Sequence, residues 1–317
     1  MSFTIGVDIG GTKIAAGLVD QDGAVVEQAK VDSPATDADA IAAAVEDVVR
    51  RLRNGHDVDA VGVSAAGFVD ARRASVMFAP NISWRDVELK ADLERRTGLP
   101  VVVENDGNAA AWGEFAFGAA QDDSDDLLLV TVGTGIGGGL VMDGQLYRGT
   151  FGVAGEVGHI RVERNGRLCG CGLHGCLEQY GSGSALVSDT RAAVRDGADG
   201  ASALLDQAGG DPDRITGPMI TLAAQAGDAF AQERLAVLGG WLGEGIASLV
   251  AVLDPGVIVI GGGVSVAGDL LLDPVRRTLE ENLTGGGHRP VADVRAATLG
   301  NDAGMIGVAH LAAPPRS

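Results

Sequence analysis

Three cysteines lie close together in the sequence, at Cys169, Cys171 and Cys176, and they are the only cysteines of the chain. Three thiolates on a compact, glycine-rich loop suit a tetrahedral zinc ion, which needs a fourth ligand. By spacing alone, His174 is a candidate for that ligand, because it lies inside the loop. An odd number of cysteines argues against a disulfide framework. The pattern predicts a closed, structural zinc site, with three free buried thiols as the alternative.

A second group of polar residues, Asn105 and Asp106, follows the predicted strand Val101–Glu104. Asn108 is a favourable N-cap for the helix that continues as AAAWGEFAFG, so we expect the pair in the loop between strand and helix. Loops at strand ends commonly carry functional residues. A carboxylate at this position can take part in proton transfer, and it can also complement the helix dipole.

The sequence also contains two glycine-rich turns. In DIGGTK, residues 8–13, the glycines would let backbone N–H groups approach a phosphate closely, and an ordinary hairpin turn explains the same residues. The segment is not a P-loop, because the pattern GxxxxGK[ST] is absent and no helix follows. Gly133, Gly135 and Gly138 fit GxGxxG, but the following GLVMDG is typical of a strand. This context excludes a dinucleotide-binding motif.

The elements that would position these residues follow a repeated pattern. The first meander consists of predicted strands at Phe3–Val7, Lys13–Val19 and Ala24–Ala29. A second meander begins at Leu127 with LLLVTV, turns at 133–135 and returns to Met142, so the sequence contains an internal duplication. Helices and strands follow each meander, including a helix at Ala38–Leu52 and a strand at Ala60–Ala65. This alternation predicts an α/β protein.

The last part of the chain is predicted to be mainly helical. An Ala-rich helical region runs from Ser184 to about Ala251, with a loop at Gly217 and Pro218. A strand at Val257–Ile260 then runs into three consecutive glycines, 261–263, and a final helix starts near Ala303.

Composition and charge limit the class of protein. The length of 317 residues favours two domains, and 46% hydrophobic residues indicate a sizeable core. Lys and Arg number 24 against 43 Asp and Glu, so the formal charge is −19, which makes nucleic acids and anionic membranes poor partners. The first residues, MSFTIGVDIGG, contain no basic region followed by an apolar core, so we expect no signal peptide. No uncharged apolar run reaches the roughly 18 residues that could span a bilayer. We therefore expect a cytoplasmic protein.

Several segments together resemble the ROK family of sugar kinases and repressors. They are VDIGGTKIAAGLVD, VVVENDGNAAAWGE, GTGIGGG and GEVGHIRVERNGRLCGCGLHGCLEQY, of which the last is highly specific. The resemblance covers nearly the whole chain and is greatest to actinobacterial glucokinases. It implies two duplicated α/β domains of the actin and hexokinase type with an interdomain cleft. We expect the domains at 1–122, completed by a C-terminal helix at 303–317, and at 123–302, which carries the zinc loop.

The resemblance also implies the site residues. The residues expected to bind the sugar are Gly67, Asn81, Asn105, Asp106, Glu156, His159 and Glu178. Those expected around ATP are Asp8, Gly10, Gly11, Thr12, Lys13, Thr134, Gly135, Gly262 and Gly263, with Asp8 near Mg²⁺ through water. The implied ligands of a structural Zn²⁺ are His159, Cys169, Cys171 and Cys176. His159 can serve both roles because an imidazole has two distinct ring nitrogens.

The reaction that the resemblance implies is transfer of the γ-phosphoryl group of ATP to the 6-hydroxyl of glucose. Asp106 is the expected catalytic base, since phosphoryl transfer needs a group that accepts the proton of the attacking hydroxyl. Two alternatives stay open. The substrate could be another hexose or an N-acetylhexosamine, and the phosphoryl donor could be polyphosphate.

Two functions of other classes are disfavoured. A sugar-sensing repressor would carry an N-terminal helix-turn-helix arm, for which a first strand at Phe3 leaves no room. A carbohydrate-binding module without turnover would not need both Asp8 and Asp106. Relatives suggest a homo-oligomer, either a dimer or a tetramer.

Overall fold

The computed structural model describes residues 2–79, 82, 84–121 and 124–315 of the chain. The chain divides into two compact units. The first unit comprises Met1–Leu129, Gly139–Gly155 and Thr298–Ser317, and the second comprises Val130–Gly138 and Glu156–Ala297. The domain boundary expected between residues 122 and 123 lies outside the described residues. The domains expected from the sequence stay a prediction.

The helices and strands follow one another in α/β fashion along the chain. Up to residue 121 they are β1 (Phe3–Ile9), β2 (Lys13–Val19), β3 (Val25–Asp32), α1 (Ala38–Leu52), β4 (Val58–Ala65), β5 (Phe68–Val69), β6 (Val76–Phe78), β7 (Arg85–Val87), α2 (Leu89–Thr97), β8 (Val101–Asn105) and α3 (Asp106–Phe117). From residue 124 onward they are β9 (Leu127–Val132), β10 (Ile136–Met142), β11 (Gln145–Tyr147), α4 (Glu178–Gly181), α5 (Gly183–Arg195), α6 (Ser202–Gln207), α7 (Gly217–Gln225), α8 (Ala229–Leu253), β12 (Val257–Gly261), α9 (Asp269–Asn282), β13 (Asp293–Ala296) and α10 (Ala303–Ala312).

Two five-stranded sheets have the same construction. The first has the strand order β3-β2-β1-β4-β8, in which β1, β2 and β3 form an antiparallel meander and β4 and β8 continue parallel to β1. The second has the order β11-β10-β9-β12-β13, with β10 and β11 antiparallel and β12 and β13 parallel. The α/β fold with a duplicated meander is thus confirmed.

Local sequence accounts for the best-predicted helices. Helix α1 has the predicted bounds, because the side chain of Asp37 accepts a hydrogen bond from the Ala40 N–H and so caps its first turn. Helix α10 begins at Ala303 as predicted and lies directly on the first sheet. A Cβ added to Gly62 of β4 would clash with the carbonyl of Val308 in α10, so this close approach needs glycine.

The sequence is misleading at Gly217 and Pro218, which we expected in a loop. They form the first turn of α7, for which Thr216 is the N-cap and accepts a hydrogen bond from the Met219 N–H. Proline is compatible with a first helical turn because its missing N–H would have no helical partner there. The pair therefore starts a helix rather than interrupting one.

Helix α8 is long and apolar enough to cross a membrane by length and composition alone. Half of its most apolar window is buried inside the structure, where Leu238, Leu242 and Ile246 are almost or fully inaccessible. Helix α9 packs against it in the second unit. Side chains buried to this extent are typical of a helix in the core of a protein.

Candidate active site and metal centre

The carboxyl ends of β1, β4 and β8 lie side by side in the first sheet. Ile9, Ala65 and Asn105 are paired in register across these three strands. Ligands of α/β proteins commonly bind beyond the carboxyl ends of such strands. Asp106 directly follows β8, and Gly67 lies two residues after the end of β4, so both predicted site residues are held at this edge.

Asp8 lies one residue before the end of β1 and is half-buried. Ser64 Oγ donates a hydrogen bond to Asp8 Oδ1 at 2.7 Å. Burial raises the pKa of the Asp8 carboxyl, and the hydrogen bond from Ser64 offsets only part of that effect. A Cβ added to Gly304 would lie 3.7 Å from Asp8 Oδ1 and 3.9 Å from the carbonyl oxygen of Asp106. The Asp8 carboxylate and the Asp106 backbone carbonyl thus both lie near Gly304, at the start of α10.

Asp106 is the first residue of α3, which corrects the expectation that it lies in a loop before a helix with Asn108 as its N-cap. The N-cap is Asn105, whose Oδ1 accepts a hydrogen bond from the Asn108 N–H at 3.0 Å. Both asparagines suit a cap, and the strand-to-helix turn favours the earlier one because β8 extends to Asn105 itself. Asp106 is exposed, and its Oδ1 accepts hydrogen bonds from Asn105 Nδ2 at 3.0 Å and the Gly107 N–H at 2.9 Å.

The remaining predicted residues of the first unit lie on two turns. The Gly10 N–H donates to the Lys13 carbonyl at 2.9 Å and closes the turn between β1 and β2, on which Thr12 is exposed. The Gly67 carbonyl accepts a hydrogen bond from Asn105 Nδ2 at 3.1 Å, which brings Gly67 into the predicted sugar-binding group. Asn81 lies outside the described residues.

The predicted metal ligands converge in the second unit. One ligand atom each from His159, Cys169, Cys171 and Cys176 lies within 4.8 Å of the other three. The Sγ atoms of Cys171 and Cys176 are 3.7 Å apart, close to the roughly 3.8 Å edge of a tetrahedron with Zn–S bonds of about 2.3 Å. His174 Nδ1 instead contacts the Gly166 carbonyl at 2.9 Å. The donor set fits zinc, with His159 as the fourth ligand.

Burial and hydrogen bonds shift the pKa values of the three thiols in different directions. Burial raises the pKa of the Cys169 thiol, and it raises the pKa of Cys176 to about 12. A hydrogen bond from the Leu173 N–H lowers the pKa of Cys171. Burial thus disfavours the thiolate form of Cys169 and Cys176, and a zinc ion bound there would displace their protons.

His159 connects the cysteine group to a predicted sugar-binding carboxylate. It ends a short 3₁₀ turn, Val157–His159, whose geometry brings its backbone N–H within 3.0 Å of the Glu156 carbonyl. His159 Nδ1 lies 3.7 Å from Cys169 Sγ, and His159 Nε2 lies 3.9 Å from Glu156 Oε2. Burial raises the pKa of Glu156, His159 lowers it and Glu178 raises it further. One ring nitrogen thus faces the cysteines and the other faces Glu156.

Glu178 begins α4 and makes contacts with both of its carboxylate oxygens. Oε2 accepts a hydrogen bond from the Ile136 N–H at 3.1 Å, and Oε1 lies 3.6 Å from Cys169 Sγ. Glu178 therefore joins the start of β10 to the cysteine loop. Glu156, His159 and Glu178 form one polar group within the second unit.

A cavity of about 900 Å³ lies within the second unit. Of the predicted nucleotide-binding residues, Thr134 and Gly263 line it. Gly262 has a φ of 84° and passes so close to β9 that an added Cβ would lie 2.5 Å from the Val132 carbonyl oxygen. Only glycine combines this conformation with this approach. Gly135 lies in the same turn as Thr134, between β9 and β10.

Sequence reasoning missed most of the cavity wall, which helices α5 and α7 supply. The Gly183 N–H donates to the Gly133 carbonyl at 2.8 Å, so α5 starts beside the turn that contains Thr134. Leu222 and Val266 expose 65% and 66% of their surface and also line the cavity. Their exposure is visible only in the structure, so the sequence alone offers no signal for this wall.

Comparisons with known proteins show which proteins this chain is similar to. The sequence model described as the ROK family matches residues 4–314. A glucokinase of Streptomyces coelicolor is 49% identical over 315 residues, which cover 99% of this chain and 99% of the relative. The structure is similar to that of a ROK family glucokinase from Streptomyces griseus in complex with glucose and AMPPNP, with a TM-score of 0.88, 51% identity, and 98% of this chain and 99% of that chain covered. It is also similar to a ROK hexokinase from Thermus thermophilus, with a TM-score of 0.80, 36% identity, and 98% and 97% coverage.

Proposed function

The chain belongs to the ROK family, and from this premise we propose that it is a glucokinase, which transfers the γ-phosphoryl group of ATP to the 6-hydroxyl of glucose. The observation that carries the proposal is the placement of Asp106 at the carboxyl end of β8, where Asn105 Nδ2 donates a hydrogen bond to its carboxylate. The glucokinase complex with glucose and AMPPNP supports the same choice of sugar and nucleotide.

In the proposed reaction Asp106 accepts the proton of the glucose 6-hydroxyl. The 6-oxygen forms a bond to the γ-phosphorus as the bond from that phosphorus to the bridging oxygen of ADP breaks. The products are glucose 6-phosphate and ADP, and the proton remains on Asp106 until solvent removes it. Asn105 Nδ2 and the Gly107 N–H hold the carboxylate in one orientation, which favours proton transfer along a fixed direction.

We assign glucose binding in the second unit to Glu156, His159 and Glu178. Two carboxylates and one imidazole can accept from and donate to several sugar hydroxyls. A site of this kind selects its substrate strongly, because an analogue that lacks a hydroxyl leaves a buried polar group without a partner. Gly67, Asn81 and Asn105 stay sugar-binding candidates from the family resemblance.

ATP is proposed to occupy the cavity of the second unit, with Thr134, Gly135, Gly262 and Gly263 around it. Helix α5 starts at the Thr134 turn, and the N-terminus of a helix attracts phosphate because its N–H groups carry partial positive charge. Gly10, Gly11, Thr12 and Lys13 are the phosphate-binding candidates of the first unit. Asp8 offers a carboxylate oxygen of the kind that Mg²⁺ prefers, and Mg²⁺ would neutralise phosphate charge when bound.

Zinc is proposed as a structural ion held by His159, Cys169, Cys171 and Cys176. Four protein ligands leave no open position, so the ion would fix the loop and the orientation of the His159 ring rather than take part in the chemistry. Assembly into a homo-oligomer and a cytoplasmic location stay predictions from the sequence.

The direct test is product identification. The purified chain, incubated with ATP, Mg²⁺ and glucose, is expected to form glucose 6-phosphate and ADP in equal amounts, measured by ³¹P NMR. Binding of glucose without any phosphorylated sugar would contradict the proposal and favour a sugar-sensing protein.

A further inference from the structure

A completely buried carboxylate lies directly beneath the proposed catalytic turn. Glu104, the residue before Asn105, has no accessible surface. Its Oε2 lies 2.9 Å from Arg73 Nε and 2.8 Å from Arg148 Nε. Its Oε1 accepts hydrogen bonds from the Asn105 N–H at 3.0 Å and from Asn108 Nδ2 at 3.1 Å. The Glu104 side chain thus links two arginines to Asn105 and Asn108, the residues that lie before and after Asp106 in the sequence.

The two arginines are themselves fixed to the loop after β5. Arg148 is only 9% exposed, and its two terminal nitrogens donate to the carbonyl oxygens of Ala71 and Asp70, each at 2.9 Å. Arg73 has a φ of 56°, a left-handed conformation that is uncommon for a residue with a side chain. Its carbonyl accepts a hydrogen bond from the Val103 N–H at 3.1 Å. The cluster therefore ties this loop to β8 immediately before Asp106.

Stability alone is a poor explanation for such a cluster. Removing charged groups from water costs free energy. Apolar residues of similar volume often stabilise a core as well as a buried ion pair does, or better. A buried ionic group does, however, define positions sharply, because its partners must keep their distances and directions. Here the positions so defined are those of Asn105 and Asn108, which frame Asp106.

We propose that Glu104, with Arg73 and Arg148, is a positioning group that sets the orientation of Asp106 for proton acceptance. This inference rests on the proposed glucokinase function. Glu104 touches neither substrate in this account and acts only through Asn105 and Asn108. Its loss should therefore lower kcat for glucose phosphorylation while the KM for ATP stays unchanged.

Two variants test this role, together with a matched control. Arg148→Lys keeps the positive charge and loses the fork that reaches Glu104 and two carbonyls at once. Glu104→Gln keeps the shape and the acceptor oxygen and loses the charge. Arg276→Lys is the control, because Arg276 also joins two carboxylates, Asp269 and Asp273, to a backbone carbonyl, and it lies in α9 away from the proposed residues.

Each variant is assayed well below its Tm for kcat and for the KM of ATP, and amide hydrogen exchange is followed over residues 104–110. We expect Arg148→Lys to lower kcat at least tenfold, to leave the KM for ATP within twofold, and to speed exchange of the Gly107 and Asn108 amides. Glu104→Gln should act in the same direction if it folds, and Arg276→Lys should change none of these values.

A lower Tm with unchanged kcat and unchanged exchange in Arg148→Lys would overturn the positioning role and leave a purely structural one. An equal loss of kcat in Arg276→Lys would overturn it as well. The assay of the wild type distinguishes failure of this inference from failure of the proposed function. If the wild type does not phosphorylate glucose, the proposed function is wrong. The exchange measurement needs no activity and still tests the positioning role.

Discussion

A carboxylate oxygen of Glu178 occupies the space that a Cβ on Gly135 would need. The same oxygen accepts a hydrogen bond from the Ile136 N–H at 3.1 Å, so the carboxylate is fixed against the turn between β9 and β10. Gly135 is a proposed nucleotide-binding residue and Glu178 a proposed sugar-binding residue. The absence of a side chain at position 135 therefore leaves room for the carboxylate of a proposed sugar-binding residue.

Gly135→Ala is accordingly expected to weaken glucose binding. The new methyl group must displace the Glu178 carboxylate, and loss of one hydrogen bond to a charged group corresponds to roughly 10–100-fold in affinity. Isothermal titration with glucose measures the effect. Gly133→Ala is the control for glucose affinity, because an added Cβ there has no neighbour within 4 Å. Equal glucose affinity in wild type and Gly135→Ala would contradict the assignment of Glu178.

Asp106→Asn is expected to lower kcat by about 10²–10⁴-fold, the usual contribution of a general base. Glucose affinity should change only several-fold, because an amide still accepts and donates hydrogen bonds. A coupled assay and a binding titration separate the two values. Asp143→Asn, an exposed turn residue with a φ of 50° that asparagine tolerates, should leave kcat unchanged. A kcat near the wild-type value in Asp106→Asn would remove this carboxylate from the mechanism.

The purified chain is expected to contain one zinc ion, measured by elemental analysis. Cys171→Ser should lose zinc and bind glucose more weakly, although no cysteine need contact the sugar, because His159 and Glu178 both adjoin the cysteine group. His174→Ala should retain zinc, since His174 contacts the Gly166 carbonyl instead. An active preparation without metal contradicts the site, and zinc loss without change in glucose affinity contradicts the coupling alone.

Asp8→Asn is expected to stabilise the folded protein at neutral pH while lowering activity. Burial raises the pKa of Asp8, so the folded state binds its proton more tightly than the unfolded state. The resulting destabilisation is complete above the folded-state pKa and vanishes below the unfolded value of about 3.9. In Mg²⁺-free buffer at pH 7.5, the variant should therefore have a higher Tm than the wild type, by about 2–4 °C for each kcal/mol of burial penalty that is removed. This difference in Tm should shrink as the pH falls toward 4.

Asp143→Asn provides the reference, because it makes the same substitution at an exposed position. Its melting temperature should follow that of the wild type at every pH. A lower melting temperature for Asp8→Asn at pH 7.5, or a difference that grows on acidification, would contradict the assignment of a burial penalty to Asp8.

The fold was predictable where local signals agreed. The meander repeats, the bounds of α1 and the start of α10 follow from strand alternation, turn glycines and the Asp37 cap. The choice between Asn105 and Asn108 as N-cap was not predictable, because both residues suit the role and the end of β8 decides between them. Similarly, Pro218 suits either a loop or a first helical turn.

The sites depended on contacts between residues distant in the chain. Spacing favoured His174 as the zinc ligand, whereas the 3₁₀ turn that ends at His159 brings the other imidazole to the cysteines. Only the family resemblance could indicate this from sequence. No local pattern links Glu104 to Arg73 and Arg148, since the pairing arises from the way the chain returns to β8.

A panel assay of sugars and phosphoryl donors tests the identity of the substrate most directly. Glucose, mannose, fructose, N-acetylglucosamine and N-acetylmannosamine are each assayed with ATP and with polyphosphate. We predict the highest kcat/KM for glucose with ATP, and a lower value for mannose, whose inverted 2-hydroxyl would misalign with one partner among the polar groups of the site. A higher kcat/KM for either N-acetylhexosamine, or measurable sugar binding without turnover of any sugar, would contradict the account.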